Sequence, residues 1–168
     1  MEIRPETRKD RAAIRHVNNA AFSGDVEANL VDALRDGGFA EVSLVAESDG
    51  ETVGHILFSP VSIISKAGTV NALSLAPMAV APSHQRRGIG SRLVEQGLEV
   101  CRKRGQGIVV VLGHPHFYPR FGFSSKLATL LESPFGGGEA WMALELVPGS
   151  LSGIEGRVEH SPPFNIFE

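Results

Sequence analysis

The chain has 168 residues, 42% of them hydrophobic and 21% charged, with a formal net charge of −3 at pH 7. This describes a globular chain long enough for one ordinary core, and it gives no overall basic footprint for nucleic acid or an anionic membrane. A single cysteine, Cys101, excludes an internal disulfide.

Met1 to Glu6 is charged and lacks the apolar centre of a signal peptide, and no apolar run reaches membrane-spanning length. A cytoplasmic protein without a membrane partner is therefore expected. Ile3 starts a short edge strand that Pro5 stops. Thr7, with Asp10 three residues later, reads as a helix N-cap with an acidic first turn. Ala13, Ile14, Val17, Ala20 and Ala21 then recur at helical spacing. A second helix follows from about Asp25, with Leu30, Val31 and Leu34 on one side, and Gly37-Gly38 ends it. Strands come next. Ser43 to Ala46 is short, and Ser48-Asp49-Gly50 signals a hairpin. Thr52 to Ile64 is long and rich in β-branched residues, with Gly54 and Pro60 as bulge or edge positions. Lys66-Ala67-Gly68 turns the chain again, and a strand runs from Val70 to Ala81. The first half thus reads as an antiparallel meander.

That strand enters Gln85-Arg86-Arg87-Gly88-Ile89-Gly90-Ser91, which opens an amphipathic helix. Ile89, Leu93, Val100 and Cys101 share one face, away from Arg92, Glu95, Gln96, Glu99 and Lys103. A helix start offers unpaired N–H groups and the positive end of the dipole, so it suits an anion, and two arginines strengthen it. Gly88 and Gly90 let a phosphate approach the backbone. No P-loop string is present, and Leu93 stands where a dinucleotide fingerprint needs its third glycine, so a nucleotide hydrolase is disfavoured. Gly105-Gln106-Gly107 closes the helix. Ile108 to Leu112 is a buried-type strand, making a right-handed parallel crossover with Leu75 onward. Pro115 is expected in the first turn of a short helix and Gly122 at its end. Trp141 to Val147 reads as the last clear strand. From Pro148 the chain reads as a surface tail pinned by Phe164, Ile166 and Phe167. His114 and His116 lack a third placed ligand, so no metal is expected.

Two strings, Gln85-x-x-Gly88-x-Gly90 and Phe117-Tyr118-x-x-x-Gly122-Phe123, occur in order, about one helix and one strand apart. Together they resemble the GNAT (Gcn5-related) N-acetyltransferase superfamily over roughly Ile3 to Val147. Gly113-His114-Pro115 is most similar to its bacterial YhbS-type branch. The resemblance implies an α/β (α+β) fold of the acyl-CoA N-acyltransferase type. Its sheet is mixed, mainly antiparallel, twisted, flanked by helices and splayed near Pro77. It also implies one domain over residues 1–147, with 148–168 a tail packed on it, and acetyl-CoA as co-substrate. Met78, Ala79 and Val80 would lend backbone groups to the pantetheine arm, the Val80 N–H facing the developing oxyanion. Gln85, Arg86, Arg87, Gly88, Ile89, Gly90 and Ser91 would hold the pyrophosphate. Tyr118, the sole tyrosine, would protonate the departing thiolate. The acceptor would be a small-molecule or peptide amine, attacking directly and entering between Asn18–Glu27 and a mobile loop, Ser133 to Glu139. A homodimer is left open. Asn71 to Val80 contains no Asp or Glu, and Glu27, His55, His114 and Glu139 stand unranked as bases. The rival reading is a non-catalytic CoA-binding or sensory module with the same fold.

Overall fold

A computed structural model of the chain describes residues 1–167. Eight strands form one sheet in the order β1-β2-β3-β4-β5-β7, with β8 also beside β3 and β6 beside β8. The chain divides into two compact units: Met1–Phe58 with Ala76–Val100, and Ser59–Leu75 with the residues from Cys101 onward.

In the first unit, β1 (Glu2–Pro5) pairs antiparallel with β2 (Val42–Ser48), and β2 with the first half of β3 (Glu51–Ser65). Asp49 and Gly50 make the two-residue turn between them, both left-handed at φ 51 and 78, as the right-handed twist of a hairpin demands. The register shifts after Ala46, which faces Gly54, while Glu47 faces Thr52. Val53 is the extra residue of a β-bulge, at the point where Gly54 marks one.

Beyond the bulge, β3 alternates between two helical layers. His55 points to α1 (Arg11–Phe22), where it meets Asn18. Gly54 and Phe58 lie against α3 (Ile89–Lys103). A Cβ on Gly97 would fall 2.5 Å from the Phe58 ring, so the helix backbone rests directly on the aromatic. This close approach offsets the loss of helix propensity, about 1 kcal/mol, that glycine brings. The buried face of α3 includes Leu93, Val94 and Leu98 as well as Ile89 and Cys101; Val100 is only half-buried. Helix α1 and helix α2 (Val26–Asp36) bury Ile14, Val17, Leu30, Val31 and Leu34, and Gly37 caps α2. The Asp10 carboxylate accepts from the Thr7 N–H at 2.6 Å and from both terminal nitrogens of Arg4 at 2.7 and 2.9 Å. Thr7 and Asp10 thus start the first helix through a short 3-10 turn.

In the second unit, β4 (Gly68–Val80) pairs parallel with β5 (Ile108–Leu112) at Leu73 and Ser74, and β5 pairs antiparallel with β7 (Trp141–Glu145). The end of α3 closes in a Schellman arrangement. Gln106 N–H donates to Cys101 O at 3.1 Å and Gly105 N–H to Arg102 O at 3.0 Å, with Gly105 left-handed at φ 80. Val61, Ile63, Ile108, Val110, Trp141 and Val158 belong to one buried cluster.

Two expectations are corrected here. Trp141 to Val147 is not the last strand: β8 (Gly156–His160) follows, antiparallel to Val61–Ser65 of β3 and parallel to β6 (Leu131–Glu132). Val158 alone is fully buried on β8, so no apolar run betrays it. Pro115 sits in a turn, and the short 3-10 helix is Tyr118–Phe121, with Pro119 inside it. Pro60 falls where β3 passes from β2 to β8, a handover that tolerates a residue without an N–H.

Candidate active site

In the first unit the end of β4 turns into the glycine loop. The Ala76–Pro77 peptide is cis. Ala79 is buried, and Met78 and Val80 are half-buried. Ala81 N–H donates to Val53 O at 2.8 Å, and the Gln85 side chain donates through Nε2 to Val80 O at 3.0 Å. Gln85 therefore staples the loop to the strand that precedes it, a role its backbone alone does not convey. Arg86 and Gly88 are both left-handed, at φ 64 and 81. Such alternation turns successive N–H groups toward one concave side. Arg86 holds this conformation with a side chain, at a cost of about 1–2 kcal/mol. Gln85, Arg86, Arg87 and Gly88 are exposed, Ile89 is the buried anchor, and Gly90 and Ser91 are half-buried. Arg92 N–H donates to Gly88 O at 3.1 Å. The N–H groups of Ile89, Gly90 and Ser91 precede that bond and belong to the orphan set of a helix start. A Cβ added at Gly88 would meet nothing within 4 Å, so this side of the loop is open. Donors, dipole and two guanidinium groups make a site suited to a pyrophosphate.

Tyr118 belongs to the second unit. The Gly122 φ of 100 closes its 3-10 turn. The ring lies against Gly113 and makes edge contacts with Phe117 and Phe123 at centroid distances of 5.0 and 5.7 Å. Only 6% of the residue is exposed. Burial pushes the phenol up to about 12, so it holds its proton throughout the neutral range. The glycine loop and the end of β4 are thus brought together in one unit, through Gln85 and Val80, and the tyrosine is seated in the other.

His55 does not serve as a base. It is fully buried, and burial, helped by the charge of Arg35, pushes it down to about 3. Asn18 Nδ2 can only donate, so at 3.3 Å it makes His55 Nδ1 the acceptor. His55 Nε2–H then donates to Ser43 Oγ at 2.9 Å. His114 and Glu139 are exposed and Glu27 is half-buried. Among the described residues no group of three or more His, Cys, Asp or Glu could hold a metal.

The Ser133–Glu139 loop is less free than its three glycines suggest. Gly136, Gly137 and Gly138 are all left-handed, but the Phe135 ring packs on His160 and Phe164 at 4.9 and 6.5 Å. Sequence reading missed this anchor because its partners lie more than twenty residues downstream.

These features have close counterparts. Residues 2–125 match the family model of the acetyltransferase (GNAT) domain. The chain is 35% identical to the N-acetyltransferase YhbS of Escherichia coli K12, over 99% of this chain and 100% of that one. It is 40% identical to YjhQ of the same organism over 69% of this chain and 65% of that one. The crystal structure of Escherichia coli YhbS in complex with CoA superposes with a TM-score of 0.91 at 34% identity, over 99% of this chain and 93% of that one. A GNAT acetyltransferase from Brucella melitensis in complex with acetyl-CoA gives 0.81 at 34% identity, over 97% of each chain. The chain belongs to the GNAT family of N-acetyltransferases. Transfer of an acetyl group from acetyl-CoA to an amine is the activity of that family.

Proposed function

We propose that this chain binds acetyl-CoA at the Gln85–Ser91 loop and transfers its acetyl group to an amine by direct attack in a ternary complex. The observation that carries the reading is the left-handed pair Arg86 and Gly88 at the start of α3. Its outward N–H groups and two exposed arginines suit a diphosphate, and Met78, Ala79 and Val80 supply strand backbone for the pantetheine arm. The neutral amine attacks the thioester carbonyl, a tetrahedral oxyanion develops opposite the Val80 N–H, and the carbon–sulfur bond breaks. The nitrogen gives a proton to solvent water, Tyr118 donates its phenolic proton to the departing sulfur, and water returns a proton to the tyrosinate, so the products are an amide and free CoA thiol. Holding both reactants together replaces a bimolecular collision with a positioned one. In this reading residues 1–147 carry most of the acetyltransferase domain, and the segment after them completes its sheet through β8 (Gly156–His160). No helix among the described residues is long and apolar enough to cross a membrane, and the cytoplasm, where acetyl-CoA is made available, is the proposed location.

The test is thiol release from acetyl-CoA in the presence of a panel of amines, with mass spectrometry of the products. Release that depends on amine, with an acetylated product, supports the reading. Tight acetyl-CoA binding with no release for any amine overturns it in favour of a non-catalytic CoA-binding module.

A further inference from the structure

The seat of Tyr118 depends on the end of β5. A Cβ on Gly113 would collide with the Tyr118 ring, so the ring rests on bare backbone. The Tyr118 N–H donates to His114 O at 3.3 Å. Ring and backbone of the tyrosine therefore both take their position from Gly113 and His114.

The opposite face of the same strand end is held by the Ser133–Glu139 loop. Successive residues of a strand point to opposite faces, so the Leu112 side chain is turned away from the tyrosine. Gly137 packs on that side chain so closely that a Cβ there would also collide. Gly113 N–H donates to Ala140 O at 3.0 Å, and Ala140 N–H to Gly137 O at 2.9 Å. The strand end is thus clamped between the loop on one face and the tyrosine on the other.

The loop in turn is tied to the C-terminal segment. Phe135 packs on His160 and Phe164 at 4.9 and 6.5 Å, and Phe164 is buried. Phe164 N–H donates to Ser161 O at 3.0 Å, and the Ser161 hydroxyl donates to Pro60 O of β3 at 2.9 Å. The three left-handed glycines that follow Phe135 give the loop little stiffness of its own, so its place depends on that ring.

We propose that Phe135 is a positioning residue for Tyr118. Anchored by the C-terminal segment, it holds the glycine loop against Leu112 and Gly113, and so fixes the point from which the phenol gives up its proton. This rests on the acetyltransferase reading above and on the acid role of Tyr118 within it.

The experiment is a double-mutant cycle. Thiol release with an amine that the parent acetylates gives kcat for the parent, Phe135→Ala, Tyr118→Phe and the double variant, and calorimetry gives acetyl-CoA affinity. Phe135→Leu, a milder change, carries the same comparison where the alanine variant does not fold. A misplacement of about 1 Å can cost ~10²-fold. Phe135→Ala should therefore lower kcat about 10-fold with acetyl-CoA affinity unchanged, and should have no further effect once Tyr118→Phe is present. A fluorinated tyrosine, fed during expression, labels Tyr118 alone because it is the sole tyrosine. Its titration by fluorine NMR should move to lower pH in Phe135→Ala, as water reaches a phenol less firmly seated. Equal loss of kcat in both backgrounds, no loss in either, or an unchanged titration overturns the inference and leaves Tyr118 as the acid. Full activity of Tyr118→Phe removes the acid role and this inference with it, while acetyl transfer stands. No turnover of any amine by the parent, with acetyl-CoA bound, overturns the acetyltransferase reading and this inference together.

Discussion

Tyr118 and His55 are both buried, and burial drives each toward its neutral form. For Tyr118 the neutral form is the one that can give up a proton. Tyr118→Phe keeps the ring between Phe117 and Phe123 and should leave acetyl-CoA affinity unchanged, while kcat falls about 10²-fold. Wild-type turnover in that variant, measured with a good acceptor, would reduce the tyrosine to a packing residue. For His55 the consequence is acid sensitivity. Its pKa in the folded protein, about 3, lies below the ordinary value of 6.5. The unfolded chain therefore takes up the proton first as pH falls. The stability this imidazole supports is complete above about pH 6.5 and drains as pH drops toward 3, by up to ~1.4 kcal/mol per pH unit. His160 acts in the same direction, pushed down by burial to about 4. Asp10, held below the usual carboxylate range chiefly by Arg4, contributes only at still lower pH. Urea unfolding between pH 6.5 and 4.5 should show the loss, and His55→Gln, which can still bridge Asn18 and Ser43, should flatten it. An unchanged slope in that variant would contradict this account.

Among the elements, the glycine loop offers the sharpest test of the cofactor site. Gly88 is left-handed with open space around its missing side chain. Gly88→Val therefore carries backbone strain of about 1–2 kcal/mol and places branched methyl groups on the open side of the loop. The variant should melt a few degrees lower yet fold. It should also lack the rise in melting temperature that acetyl-CoA is expected to produce in the parent protein. Equal stabilisation of both by acetyl-CoA would remove the loop from the binding site. What was legible in the sequence follows a physical pattern. Asp49-Gly50, Gly37-Gly38 and the Gln85–Ser91 loop were readable because their conformations are set by residues within a few positions. The Asn18–His55–Ser43 bridge, the Phe135 anchor and strand β8 were not. Each depends on partners distant in the chain, and β8 has too little buried surface to leave a periodic trace.

For the whole molecule, direct transfer makes a kinetic demand. Both substrates must be bound before any product leaves, so initial-rate lines against acetyl-CoA at several amine concentrations should intersect. Parallel lines, the mark of an acetylated enzyme, would exclude the proposed mechanism. The closing segment of the chain is part of the folded body as well. Phe164 is buried against Phe135 and His160, and Phe164→Ala should cost about 3–5 kcal/mol in chemical denaturation. A loss under ~1 kcal/mol would show that the tail only lies on the surface.

The handover along β3 bears on how the protein is made. The stretch Val61–Ser65 must wait for its partner Gly156–His160, roughly a hundred residues later in the chain. During synthesis the first hairpin can close as soon as it leaves the ribosome. The far half of the same strand stays an open edge until Gly156–His160 has been made. Pro60 and the polar Ser62 and Ser65 along that edge act against premature pairing with neighbouring nascent chains. Expression of this protein should accordingly be more sensitive to translation that stalls between Ser65 and Gly156 than to stalling before Val61.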